Sequence, residues 1–242
     1  MKPLQRASVP EMKPAALFFD AGPIISLVVS RLSWILPELK KKYSGNFYIT
    51  PAVQRELVER PLAVRRFEFE ALQVMKLIRE GTLQLYSQVP LEKVSELQQL
   101  ANSSFSIENR TMEIIQSGEI ESVASALQMN DATVVMDERT LRLFIENRQE
   151  MKKLLEHRFQ KEVSVDQQNM KKFSDQLQKI KIIRSVELVG VAYKLALLDS
   201  YVPLRKDGRE ILLDSVLWAT KYNGCAVTEH EIEEMKEFLL KK

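Results

Sequence analysis

The sequence predicts a helix-rich α/β protein built on a parallel sheet, and three observations carry that expectation. Short apolar runs stop abruptly at an acid or a proline: residues 15–19 before Asp20, residues 47–50 before Pro51, and residues 132–136 before Asp137. Each run is followed by a stretch with apolar residues at helical spacing. The chain also has only seven glycines among 242 residues, with abundant Leu, Glu, Lys and Gln, which favours helix between the strands. Strands buried on both faces read as continuous apolar runs, and strands alternating with helices close into a parallel sheet with right-handed crossovers.

Taken in order, residues 1–14 set Lys2, Arg6, Glu11 and Lys13 among prolines, with no apolar core of signal-peptide length. They read as a loose tail, and no export is expected. After Asp20, Ala21-Gly22-Pro23 breaks the strand and a helix starts at Ile24. Its apolar stretch ends at Val29, far short of the ~20 residues that span a bilayer, so no membrane partner is expected. Pro51 suits the first position of the helix that carries Glu56. Phe67, Leu72, Met75 and Ile78 keep helical spacing up to Gly81, and residues 83–86 form a brief strand. Helices are expected over 91–101, 109–116 and 119–128.

Residues 141–181 differ in character: they lack Gly and Pro, are polar, and carry a broken apolar stripe of Leu154, Leu155, Phe159, Phe173 and Leu177. A two-helix hairpin arm inserted into the domain is expected there. The core pattern returns at Ile182-Ile183 and runs through 186–198, 211–222 and 225–228 to a terminal helix. The expected organisation is a tail over 1–14, a core over 15–140, an arm over 141–181, and 182–242 completing the domain.

The net charge of +2 is too small to imply a nucleic-acid partner by itself. Residues 142–184, however, hold eleven basic side chains against six acidic ones, so the basic bias lies in one segment. Cys225 is the single cysteine, which excludes an internal disulfide and fits a reducing, cytoplasmic compartment.

Four acids fall where open α/β sheets place their sites, at strand ends or at the starts of the following helices. Asp20 and Asp137 end apolar strands, Glu56 lies early in its helix, and Glu119 begins another. Residues 119 and 121 are about 200° apart on a helix, and Glu119 shares the face of Val123, Ala126 and Leu127, so it is preferred over Glu121 as the inward acid. Any one acid at a strand end is ordinarily a solvated or capping residue; four in this order are harder to explain so. Gathered carboxylates without basic partners raise one another's pKa and favour a hard divalent cation, Mg²⁺ or Mn²⁺, which activates water in phosphodiester cleavage.

Phe18-Phe19-Asp20-Ala21-Gly22-Pro23-Ile24, Thr50-Pro51-Ala52-Val53-Gln54-Arg55-Glu56, Gly118-Glu119-Ile120-Glu121-Ser122-Val123-Ala124 and Val134-Val135-Met136-Asp137-Glu138-Arg139 together resemble the four motifs of the PIN family, in order. The nearest subgroup pattern has DTSPLI-type first and GExEA-type third motifs, and the likeness covers roughly residues 17–142, more loosely to 198. The resemblance implies a three-layer α/β/α fold with a central parallel sheet. It implies Asp20, Glu56, Glu119 and Asp137 as catalytic metal ligands for Mg²⁺ or Mn²⁺ in single-strand RNA hydrolysis, and a homodimer. Ala21-Gly22 stands where relatives carry Thr or Ser, with Ser26 a partial substitute.

Among the other residues, Arg139, Lys41 and Lys42 are expected as contacts to substrate phosphate, each against the plainer role of a surface charge. Asp214 is a weaker fifth acid, because residues 212–220 and 225–229 imitate a helix-to-strand step of the same family with shorter spacing. Trp34 and Trp218 read as core, and His157 and His230 as exposed. Two rival functions remain open from the sequence: a catalytically weakened module that holds RNA or a protein, and the toxin of a toxin-antitoxin pair, whose partner would be an antitoxin.

Overall fold

The computed structural model describes residues 16–108, 110–112, 114–129, 132–146 and 148–241; the tail expected over 1–14 lies outside them. The chain begins with β1 (Ala16–Phe19), α1 (Ala21–Val29), α2 (Ile35–Lys42) and β2 (Asn46–Ile49). Next come α3 (Pro51–Gln54), a π-helical turn (Arg55–Glu59), α4 (Arg60–Leu62), α5 (Glu68–Arg79) and β3 (Gln84–Leu85). Then follow α6 (Leu91–Ser103), β4 (Phe105–Ile107), β5 (Arg110–Thr111), α7 (Ser117–Leu127), β6 (Ala132–Val135), α8 (Arg139–Glu146) and α9 (Arg148–Phe159). The last elements are β7 (Ser164–Val165), α10 (Gln167–Leu177), β8 (Lys181–Ile183), α11 (Ser185–Lys194), α12 (Gly208–Tyr222) and α13 (Glu229–Leu240).

Five strands form one parallel sheet in the order β3-β2-β1-β6-β8. Phe18 stands opposite Tyr48 on one side and Val134 on the other, and Val134 opposite Ile182. Because side chains alternate along a strand, β1 feeds two cores. Leu17 and Phe19 enter a core with Phe47, Ile49 and Val135 beneath α1, α2, α5, α11 and α12. Ala16 and Phe18 enter the other, with Val134, beneath α6 through α10. The result is the three-layer α/β/α arrangement expected from the sequence. No helix among the described residues is long and apolar enough to cross a membrane.

The segment 141–181 departs from the expected two-helix arm. It consists of the last part of α8, then α9, β7 and α10, and it is part of the second core. Leu141, Phe144, Met151, Leu155, Val163, Phe173 and Leu177 are all buried there. Phe144 packs edge-on against both Phe105 and Phe173. Its polar residues fill the outward faces, which dilutes the apolar stripe in the sequence without breaking it in space. Strand β7 also pairs antiparallel with β4, which pairs with β5, giving a small second sheet. Residues 110–111, inside the expected helix 109–116, are the strand β5, and residues 224–228 form no strand.

A cap and a π-turn set the site. Thr50 ends β2 in extended conformation, and its hydroxyl accepts from Val53 N at 3.4 Å, while Pro51 opens the helix. The helix then widens into the π-turn directly before Pro61, which has no N–H to donate to Leu57 and whose ring crowds that carbonyl.

Candidate functional site

A parallel sheet gathers its strand C-termini on one edge, and the helix after each strand starts there. Asp20 follows β1 directly, extending the ladder through its N–H to Val135 O at 2.9 Å. It caps α1, accepting from Gly22 N at 3.3 Å. Glu56 lies in the π-turn behind β2. Asp137 lies two residues beyond β6. Helix α7 runs back toward the start of β6, so its first turn, with Glu119, reaches the same edge. All four sequence-derived acids therefore stand at one edge.

Two glycines lie between these segments, and Gly118 makes the closer approach. A Cβ on Gly22 would lie 3.5 Å from Asp137 Cβ and 3.6 Å from Asp20 Oδ2, so this residue fills the space between the two carboxylates. A Cβ on Gly118 would lie 3.1 Å from Glu56 Oε1, a contact that pushes the carboxylate aside. Glu119 is buried and forms a capping box, its Oε2 accepting from Gln116 N at 3.1 Å. Glu121 turns elsewhere: it accepts from Ala52 N at 2.9 Å and faces Arg55 at 3.8 Å.

Asp20 and Glu119 are each 6% exposed, and no ion pair reaches either among the described residues. Burial pushes Asp20 up to about 7, against hydrogen bonds from the Ala21 and Gly22 backbone, with the charges of Glu56 and Asp137 adding to the rise. Burial likewise pushes Glu119 up to about 8, reinforced by the charges of Asp20, Glu138 and Glu56. Glu56 is raised by burial and by Glu121, and lowered by Arg60 and Arg55. The acids thus repel one another across the edge.

Asp137 has a different environment. Its Oδ1 accepts from Ser185 N at 2.7 Å, and its Oδ2 accepts from the hydroxyls of Ser26 at 2.8 Å and Ser185 at 2.7 Å. It sits at the N-terminus of α11, where backbone N–H groups and the helix dipole favour a negative charge. The segment after α12 passes behind it, Ala226 N donating to Asp137 O at 3.1 Å. Burial and the Asp137 charge push the nearby Cys225 thiol up to about 12, which keeps it protonated.

The remaining candidates fare unevenly. Arg139 opens α8 on the acid edge, fully solvent-facing. Lys41 and Lys42 end α2 just before β2 begins, which places them at the opposite edge of the sheet from the acids; Lys41 pairs with Glu38 at 2.7 Å. Their expected role beside Asp20 is thereby corrected. Asp214 is turned to α13, pairing with Lys236 at 2.7 Å, and does not join the four acids. Sequence reasoning missed Ser185, whereas Glu138 takes the helix-start role that its place before α8 suggests. Ser185 was accessible from the step out of β8 into α11, which repeats the strand-to-helix unit at the same edge. Glu138 caps α8 through Thr140 N and Leu141 N while its charge acts on Glu119.

Among the described residues, no group of three or more His, Cys, Asp or Glu is close enough to hold one metal ion as it stands. The donor set nonetheless has the chemistry of a hard-cation site. It is all oxygen, with Asp20, Glu119 and Asp137 buried and Asp20 and Glu119 free of ion pairs among the described residues, and Glu119 keeps one carboxylate oxygen outside its cap. No family model matches this chain, and neither a curated protein nor a solved structure matches it.

Proposed function

We propose that the chain is a PIN-like ribonuclease that hydrolyses RNA phosphodiester bonds with Mg²⁺ or Mn²⁺ at the acid edge. One observation carries this reading: Asp20 and Glu119 are buried, raised and without cationic partners at the C-terminal edge of a parallel sheet, with Glu56 and Asp137 beside them. An isolated protein has no stabilising reason to gather such charges; a bound dication removes the repulsion. When bound, the ion supplies Lewis acidity toward the phosphoryl oxygen and a more acidic water.

The protein residues divide the remaining work. Asp20 and Glu119 present carboxylate oxygens to the ion, and Glu56 approaches from the π-turn past Gly118. Asp137 is the positioning acid, held by Ser26 and Ser185 so that its negative charge stays fixed beneath Gly22. Ser26 thereby supplies a hydroxyl that Ala21-Gly22 lacks. A cytoplasmic setting goes with this reading, since the one thiol is buried and an RNA substrate is intracellular.

The test is cleavage of single-stranded RNA in Mn²⁺, with calorimetric Mn²⁺ titration of the same samples. The Asp20→Asn variant is expected to fold, lose Mn²⁺ binding and lose nearly all cleavage. Full cleavage by that variant would overturn the assignment. One observation favours a second reading, a catalytically silent module that binds RNA or protein: the oxygens of Asp137 already take three hydrogen bonds within the chain. That reading expects no heat of Mn²⁺ binding in the wild type.

A further inference from the structure

Beside the acid edge opens a cleft of about 290 Å³, and the segment 141–181 supplies its outer wall. Its lining joins the carboxylates of Glu119 and Glu138, the apolar Met112 and Ile115, and Arg158 and Phe159. The last two come from the final turn of α9. Arg158 is exposed, forms no ion pair among the described residues, and lies 5.7 Å from the Phe159 ring centre. Phe159 is 43% exposed although the rest of the α9 stripe, Met151 and Leu155, is buried.

These two side chains are held in place from behind. Leu155 and Met151 fix α9 in the second core. Just past the helix end, Gln160 takes a left-handed conformation that turns the chain, and Lys161 pairs with Glu108 at 2.8 Å. Strand β7 then pairs with β4. The end of α9 is thus tied at both sides while its terminal aromatic and its guanidinium face the cleft that Glu119 enters.

The chemistry of the walls selects the occupant. Two carboxylates in the lining exclude an anion unless a cation shares the cleft, and Arg158 is that cation among the lining residues. A guanidinium with an aromatic face beside it is the pairing that takes a phosphate and a stacked base. The volume lies at the lower end of the range for small-molecule pockets, roughly 300 Å³ upward, which suits one flipped-out nucleotide and not a duplex. We infer that Arg158 and Phe159 form a subsite for one unpaired nucleotide of the RNA strand next to the cleaved bond, Phe159 stacking its base and Arg158 holding its phosphate. This inference rests on the ribonuclease reading and deepens it: it makes the protein selective for single strands and gives the basic segment a place in substrate binding.

The experiment measures fluorescence anisotropy of a short labelled single-stranded RNA with the full chain, in EDTA and below pH 7 so that no cleavage intervenes. Phe159→Ala and Arg158→Ala are each expected to weaken binding about ten-fold or more, and Phe159→Tyr to retain it. A blunt-ended RNA duplex is expected to bind weakly to all four proteins, and a free nucleoside monophosphate to compete poorly. Manganese titration of Phe159→Ala is expected to match the wild type. RNA binding unchanged in both alanine variants would overturn the subsite while leaving the acid site standing. Equal affinity for the mononucleotide and the strand would assign the cleft to a free nucleotide and overturn it as well. Loss of Mn²⁺ binding on Asp20→Asn tests the acid site separately, so the two failures are distinct. Both alanine positions are exposed, and unchanged thermal unfolding confirms that the variants fold.

Discussion

Replacing Asp20 by Asn should make the metal-free protein more stable at neutral pH, and the size follows from the burial of the carboxyl. In the folded chain Asp20 is raised from 3.8 to about 7. In the unfolded chain it ionises near its ordinary value. Between those two values the folded state binds the proton that the unfolded state releases, so stability falls as pH rises from about 4 to about 7 and is then level. At ~1.36 kcal/mol per unit, a rise of about three units amounts to at most roughly 4 kcal/mol lost by pH 7. Asn keeps the acceptor for Gly22 N and does not titrate. The assay is urea unfolding in EDTA at about pH 5 and about pH 8. At the lower pH the Asn variant should be ahead by only about 1.6 kcal/mol, because at about 1.2 units above its ordinary value the unfolded Asp20 has ionised while the native one is still protonated. At the higher pH the Asn variant should be ahead by about 2–4 kcal/mol, several degrees in thermal midpoint for a chain of this size. Adding Mn²⁺ should narrow or close that gap, since a ligand at about 100 times its Kd stabilises only the protein that binds it, by ~2.7 kcal/mol. An Asn variant no more stable than wild type at the higher pH would refute the reasoning that these acids repel in a buried pocket.

Further outcomes follow from other contacts. Gly118→Ala adds a Cβ 3.1 Å from Glu56 Oε1; it should leave the melting temperature unchanged or higher, since Ala favours helix by up to ~1 kcal/mol, yet weaken Mn²⁺ binding in calorimetry. Ser185→Ala removes one of the two hydroxyl donors to Asp137, a buried charge-assisted bond, and should cost about 1.5–3 kcal/mol in urea unfolding. Phe173→Ala empties a fully buried position packed on Phe144 and should cost about 3–5 kcal/mol, whereas a detached arm would tolerate it within error.

Much of the sheet was legible because parallel strands buried on both faces leave continuous apolar runs, and because their ends carry capping residues. Asp20 after Phe19, Thr50-Pro51 after Ile49, and Asp137 after Met136 mark three strand-to-helix steps in the sequence itself. Helical rotation alone separated Glu119 from Glu121, and their carboxylates do point different ways, one into the acid edge and one to Ala52 N. The segment 141–181 resisted reading because three short helices with polar outer faces dilute an apolar stripe that is complete only after α8, α9 and α10 pack together. Strands β4, β5 and β7 are two or three residues long, too short to show a period of two. Lys41 and Lys42 illustrate a further limit: closeness to Asp20 in a sequence diagram says nothing of which edge of the sheet a helix end reaches. Ser185 marks a strand-to-helix step out of β8, but its pairing with Asp137, 48 residues earlier behind β6, is visible only in the fold.

The central position of β1 also sets when the acid edge comes into being. Phe18 is made long before Val134, one of its two neighbours, which follows only after the intervening helices. At ~5–20 residues per second the first strand waits for seconds with one flank open, and the pairing it waits for is the slow, non-local kind. Asp20 and Asp137 meet only when that flank closes. A nascent chain therefore carries separated acids and no assembled acid edge until its own sheet is complete.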